Sequence, residues 1–208
     1  MEDLKKEIRY FNAELRANPD TGTIDGTAII FNQESRLLGG QFREIIKSEA
    51  VSESLLSNSE ITMFYNHNQD NGVLAKYKRG AGTLKIFKDE RGVHFSFKPR
   101  ANSALAQEVK SAIEAGDLEY CSFGFTLEPQ KGNDTWSKRS DGTYLREIRN
   151  FTSLFDFSIV VNPAYLQTSV STRGLEDFKE QELQEIRRLE EINEYYKPYE
   201  YLLESIKK

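Results

Sequence analysis

The stretch Glu119-Tyr-Cys-Ser-Phe-Gly-Phe-Thr-Leu127 decides the fold class. Cys121, Phe123, Phe125 and Leu127 alternate with Ser122, Gly124 and Thr126, and a period of two belongs to a strand with one apolar face. The bulky face suits a core. The small face is expected to stay open, where Gly124 leaves room for close backbone approach beside Ser122. The pattern is equally that of an ordinary half-buried strand, so Ser122 is a candidate nucleophile only if a base lies beside it.

The segment before it has helix grammar. Asn102 or Ser103 can cap a helix, Leu105, Val109, Ala112 and Ile113 recur at helical spacing, and Gly116 can end it. Short strands are expected elsewhere, at residues 8–16, Gly26–Phe31, Phe42–Ile46, Ile61–His67 and Phe155–Val161. Asn18-Pro-Asp-Thr-Gly22 reads as a turn. Ser48 is a candidate cap for a brief helix carrying Val51, Leu55 and Leu56. Thr83–Phe87 and Val93–Phe97 flank Lys88-Asp-Glu-Arg-Gly92, a hairpin signature in which Gly92 is expected to supply a positive φ. The polar run Gln130–Gly142 reads as a mobile loop. A long helix inside a run of strands predicts a mostly β fold with packed helices, not βαβ alternation.

Composition changes after Arg173. From Gly174 to Lys208 there are ten acidic and six basic residues, and Leu183, Ile186, Leu189, Ile192 and Tyr195 are spaced by three. A helix turns about 300° over three residues, so this stripe winds around the cylinder. The expected organisation is a domain over residues 1–173 and an acidic helical extension over 174–208.

Among 208 residues, 13 Phe and 10 Tyr argue against general disorder. A net charge of −5 gives no electrostatic reason to expect a nucleic-acid partner. The single Cys121 excludes an internal disulfide and suits a reducing compartment. The opening Met1-Glu-Asp-Leu-Lys-Lys6 has no signal-peptide core, and no run approaches the ~18 apolar residues of a membrane helix. The expectation is a soluble intracellular protein with no membrane partner. No Cys or His cluster suggests zinc and no Gly-rich loop suggests a nucleotide, so neither metal nor cofactor is expected. Cys121 alternates to the core side, which makes it an inert thiol.

A base for Ser122 must come from two histidines. His67 ends the 61–67 strand on the face of Ile61, Met63 and Tyr65; it is either a surface histidine entering a turn or a base reaching a site. His94 falls with Ser96 and Lys98 on a polar face and is expected to be exposed. Asp156 interrupts the nearly apolar Leu154-Phe-Asp-Phe-Ser-Ile-Val-Val161, where a carboxylate is costly unless paired or solvated. His67, a backbone donor or Arg149 would each answer that cost.

In order, Gly26–Asn32, Phe42–Ile46, Phe64–Asn68, Asp89–Gly92, Cys121–Phe125 and Leu154–Tyr165 resemble the phage prohead maturation proteases, a family similar to herpesvirus capsid assembly proteases. The resemblance spans roughly residues 8–173. It implies a closed or nearly closed β-barrel surrounded by helices, with Ser122 as nucleophile and His67 as its base. Asp156 would be the third member, where the family commonly has glutamate. It further implies a serine endopeptidase that cuts the scaffolding portion from the major capsid protein, commonly processes itself, and acts inside an immature capsid in the bacterial cytoplasm. Self-association is a further expectation. Oxyanion donors would be a backbone N–H near Gly124, Arg146 or Arg149. The rival reading is a non-catalytic capsid assembly or scaffolding protein with the same barrel core.

Overall fold

The computed structural model describes residues 6–128, 132–161 and 173–206. The Asn162–Tyr165 part of the family-like stretch, and residues 130 and 131 of the expected loop, lie outside these. The chain divides into two compact units, Met1–Val170 and Ser171–Lys208.

In chain order the first unit contains β1 (Lys6–Asn12), β2 (Arg16–Asn18), β3 (Thr23–Ile30), β4 (Phe42–Ile46), α1 (Glu53–Asn58), β5 (Glu60–Tyr65), β6 (Ala75–Lys78) and β7 (Ala81–Gly82). It continues with β8 (Leu84–Lys88), β9 (Gly92–Phe97), α2 (Ala104–Ala115), β10 (Tyr120–Thr126), β11 (Asp134–Lys138), β12 (Tyr144–Ile148) and β13 (Ser153–Val160). The second unit is α3 (Arg173–Ile206), on which Leu183, Ile186, Leu189, Ile192 and Tyr195 are all exposed. No helix among the described residues is long and apolar enough to cross a membrane.

The barrel implied by the resemblance does not form. Among the described residues the strands make three separate sheets, ordered β1-β10-β13-β5-β6-β7, β11-β12-β4 and β2-β3-β9-β8. The ladders stop where the chain leaves the extended region. Residues 13–15 separate β1 from β2, so the expected strand over 8–16 is two strands in two sheets. Asn32, with φ 56°, ends the extended run after β3. The sheets instead share one core that includes Phe95, Phe97, Phe123, Phe125, Phe157 and Met63. Fully burying each phenylalanine contributes roughly 1.5–3 kcal/mol.

Caps follow local chemistry. Ser103 accepts from the Ala106 N–H and Gly116 closes α2 at φ 82°. For α1 the cap is Ser52, which accepts from the Leu55 N–H; Ser48 starts a separate 3₁₀ turn and caps nothing. Gly92 is needed for a different reason from the one expected. Its φ is not positive, but an added Cβ would stand 2.1 Å from the Ile29 carbonyl oxygen across the β3–β9 pair. The expected loop at 130–142 contains β11, which pairs antiparallel with β12.

Two features of the six-stranded sheet build the site. β10 lies between β1 and β13, with Ser122 opposite Tyr10 on one side and Ser158 on the other. Between Gly124 and Phe125 the register slips, so that Gly124 faces Asp156 while Phe125 faces Leu154. This bulge in β13 leaves Phe155 unpaired and re-aims its neighbour Asp156. Gly124 makes room for it: a Cβ there would stand 2.6 Å from the Phe155 ring and 3.3 Å from Asp156 Cβ. The glycine thus accommodates a ring of its own chain, not an approaching backbone.

Candidate active site

Ser122 comes from the middle of β10 and Asp156 from the bulged part of β13. His67 follows β5, which runs parallel to β13. The strand expected to reach His67 ends at Tyr65, because Asn66 and His67 both adopt left-handed backbone, at φ 53° and 56°. Such angles are uncommon for residues other than glycine and cost of order 1 kcal/mol or more. The turn is held by β13: the Asn66 N–H donates to the Ile159 carbonyl at 2.9 Å, and Asn66 Oδ1 accepts from the Val161 N–H at 3.1 Å. Two consecutive left-handed residues swing the imidazole back over the sheet.

The result is one line of hydrogen bonds. His67 Nε2 is 2.6 Å from Ser122 Oγ, and His67 Nδ1 is 2.9 Å from Asp156 Oδ2. The structure therefore brings together all three residues singled out from the sequence. The arrangement has the form of a hydroxyl, a base and an orienting carboxylate. A carboxylate on Nδ1 selects the tautomer whose Nε2 lone pair faces the hydroxyl.

Ser158 completes the group and escaped the sequence reading. Its hydroxyl donates to Asp156 Oδ1 at 3.0 Å, accepts from the His67 main-chain N–H at 3.2 Å, and lies 3.1 Å from His67 Nδ1. The signal was available: residues 156 and 158 share a strand face, and Ser158 is the cross-strand partner of Ser122.

The small-residue face of β10 is closed, contrary to the open face expected. Ser122 is 0 % exposed. His67 covers it on one side, and on the other its hydroxyl donates to the Arg9 carbonyl of β1 at 2.9 Å. The hydroxyl has a single proton and two acceptors within reach, Arg9 O and an unprotonated Nε2.

The arginines proposed for an oxyanion lie elsewhere. Arg146 is buried in an ion cluster, donating to Glu7, Glu44 and Asp134. Arg9 joins it, with Nε at 2.8 Å from Glu44 and a terminal nitrogen at 2.6 Å from Glu7. Burial alone would raise the Glu7 carboxyl; Arg146 and Arg9 outweigh it and hold the group below the ordinary range. The same carboxylates overcome burial to raise both guanidinium groups. This cluster fixes β1, and with it the Arg9 carbonyl, against β4 and β12. Arg149 pairs with Glu49 and Glu147.

His94 is buried, not exposed. Its Nδ1 is 3.0 Å from Thr27 Oγ1 and its Nε2 is 2.9 Å from Asp89 Oδ1. The imidazole hydrogen bond, aided by the Arg91 and Gly92 N–H groups, holds the Asp89 carboxyl down at about 2. His94 therefore ties the β8–β9 turn to β3, away from Ser122. Cys121 is buried, and burial pushes its thiol well above the usual range. Among the described residues there is no group of three or more His, Cys, Asp or Glu side chains that could hold a metal ion.

A family model described as caudovirus prohead serine protease matches residues 11–181. The match includes Ser122, His67, Asp156 and Ser158. No curated protein and no solved structure matches the chain.

Proposed function

The chain belongs to the caudovirus prohead serine protease family, and from that premise we propose that it is a serine endopeptidase that cuts the scaffolding portion from a phage major capsid protein during prohead maturation. The observation that carries the reading is the pair of contacts at His67, 2.6 Å to Ser122 Oγ and 2.9 Å to Asp156 Oδ2.

In this reading Ser122 Oγ attacks the scissile carbonyl carbon as His67 Nε2 takes its proton. The tetrahedral adduct collapses, the C–N bond breaks, and His67 returns the proton to the leaving amine. Water, deprotonated by His67, then attacks the acyl ester and releases Ser122. Asp156 holds the Nδ1–H tautomer and stabilises the imidazolium formed at each transfer. Ser158 steadies both partners. The enzyme would act inside the immature capsid in the bacterial cytoplasm, process itself as well, and meet its substrate there as the major capsid protein. Self-association belongs to the same proposal.

One observation favours a second reading, a non-catalytic assembly protein: Ser122 is fully enclosed, with its hydroxyl within bonding distance of the Arg9 carbonyl. Co-expression with the capsid protein of the same assembly system separates the two. The protease reading expects the capsid protein to lose its scaffolding segment with the wild type and to keep it with Ser122→Ala. Normal processing by that variant would end the proposal.

A further inference from the structure

A cavity of about 230 Å³ lies between β1, the chain from Gln33 to Leu38, β4 and the start of β10; it is reached from Ser122 through Tyr10, and Ser122 itself does not line it. Its relation to Ser122 follows from strand register. Tyr10 is the direct cross-strand partner of Ser122, and Asn12 is that of Tyr120. Direct partners project from the same face of a sheet. Tyr10, Asn12 and Tyr120 all line the cavity, so part of its wall lies on the face that carries the Ser122 hydroxyl; Arg9 and Phe11, from the opposite face, complete it. The volume is below that of pockets for drug-sized ligands and suits one amino-acid side chain.

The polar groups of the wall fall into two sets. The carboxylates are already matched. Glu44 is held by Arg9 and Arg146, and Glu34 takes a two-pronged contact from Arg139 at 2.8 and 3.0 Å with Arg43 at 3.4 Å. The donors are not. Arg36 forms no ion pair among the described residues; its guanidinium lies over the Tyr10 ring, 4.3 Å from the centroid. The Tyr10 hydroxyl oxygen is shut off from solvent and has no hydrogen-bond partner among the described residues. Arg43 and Arg139 share Glu34, and Asp141 acts on Arg139 as well. Of the two arginines that line the cavity, Arg9 is ion-paired, and Arg36 has no carboxylate partner among the described residues.

A phenol donor without an acceptor and a guanidinium without a counter-ion call for the same chemistry, a carboxylate. We propose that this cavity is a specificity pocket for an acidic side chain of the peptide substrate, read by Arg36 and Tyr10. The inference rests on the protease reading, since it assigns the pocket to the substrate that Ser122 attacks. The acidic side chain gives Arg36 its ion pair and, as the guanidinium shifts off the ring, gives the Tyr10 hydroxyl an acceptor. A neutral or basic side chain leaves both donors unmatched, and a site with unmatched donors discriminates strongly.

The test uses the full chain and an internally quenched peptide spanning the bond that co-expression shows to be cut. Each position flanking that bond is occupied in turn by Glu, Gln, Ala or Lys. For the wild type, one position is expected at which Glu exceeds Ala in kcat/KM by about 10- to 100-fold, the range of a charged hydrogen bond. Arg36→Ala should flatten that preference, and Arg36→Glu should turn it toward Lys. Arg36 is exposed, so both variants should melt with the wild type. Tyr10→Phe should shrink the Glu-to-Gln ratio several-fold. A wild type that labels at Ser122 with a fluorophosphonate but cuts all peptides equally would overturn the pocket while sparing the protease reading. So would an acidic preference that survives Arg36→Glu. A wild type that neither labels nor cuts would overturn the protease reading and the pocket with it.

Discussion

The hydroxyl of Ser158 holds His67 by its backbone and approaches its ring, accepting from the main-chain N–H at 3.2 Å and standing 3.1 Å from Nδ1. It also donates to the far oxygen of Asp156. One small side chain thus fixes both the position of the left-handed turn and the angle of the carboxylate. Ser158→Ala should lower kcat by about tenfold with KM little changed, because it loosens transition-state geometry, not substrate binding. Loss of these bonds should cost about 0.5–1.5 kcal/mol each at most. Steady-state kinetics beside thermal melting checks both, and an unchanged kcat would reduce Ser158 to a structural residue.

Asp156 is tested by Asp156→Asn, which keeps shape and removes charge. The amide favours the wrong imidazole tautomer, so kcat should fall on the order of 10⁴-fold while the melting temperature stays near that of the wild type. A variant that unfolds, yet regains full activity when refolded by stabilising solutes, would make Asp156 a structural carboxylate.

Acid stability should depend on Glu7. Its carboxyl lies below the ordinary range in the folded protein and near 4.3, roughly, in the unfolded chain. The unfolded state therefore binds more protons in that window, so stability is full above it and falls as pH drops from about 4 toward the folded value. Glu7→Gln removes one of the three carboxylates that Arg9 and Arg146 share, leaving Glu44 and Asp134, and should cost about 1.5–3 kcal/mol near neutrality, the range of hydrogen bonds to a charged group. The gap between wild type and variant should narrow on acidification. Urea unfolding across this pH range measures it, and a constant gap would contradict the account.

The parts of this molecule legible in its sequence are those written in local pattern. Alternation marks Cys121–Leu127 as a strand, a nearly apolar run marks Phe155–Val161, and Ser103 and Gly116 bracket α2. Alternation pointed to Ser122 and the cost of a carboxylate in an apolar run to Asp156; period two, followed from Asp156, would have pointed to Ser158. What depends on long-range geometry was not legible. The swing of His67 comes from two left-handed residues, neither of them glycine. The Glu7–Arg9–Glu44–Arg146 cluster joins residues up to 139 positions apart, so no window of sequence contains it. β11 was read as loop because Asp134-Thr-Trp-Ser-Lys138 has one large apolar residue and takes its order from pairing with β12. Barrel closure failed as an expectation because sheets end where backbone angles change, at residues 13–15 and Asn32, and side-chain pattern does not record that.

The central claim is that His67 makes Ser122 a nucleophile. Fluorophosphonate labelling of the purified chain, read by peptide mass spectrometry, tests it most directly. A single adduct on Ser122 is predicted, absent from Ser122→Ala and slowed at least 100-fold in His67→Ala. Equal labelling in His67→Ala, or an adduct on any other serine with Ser122 untouched, would contradict it.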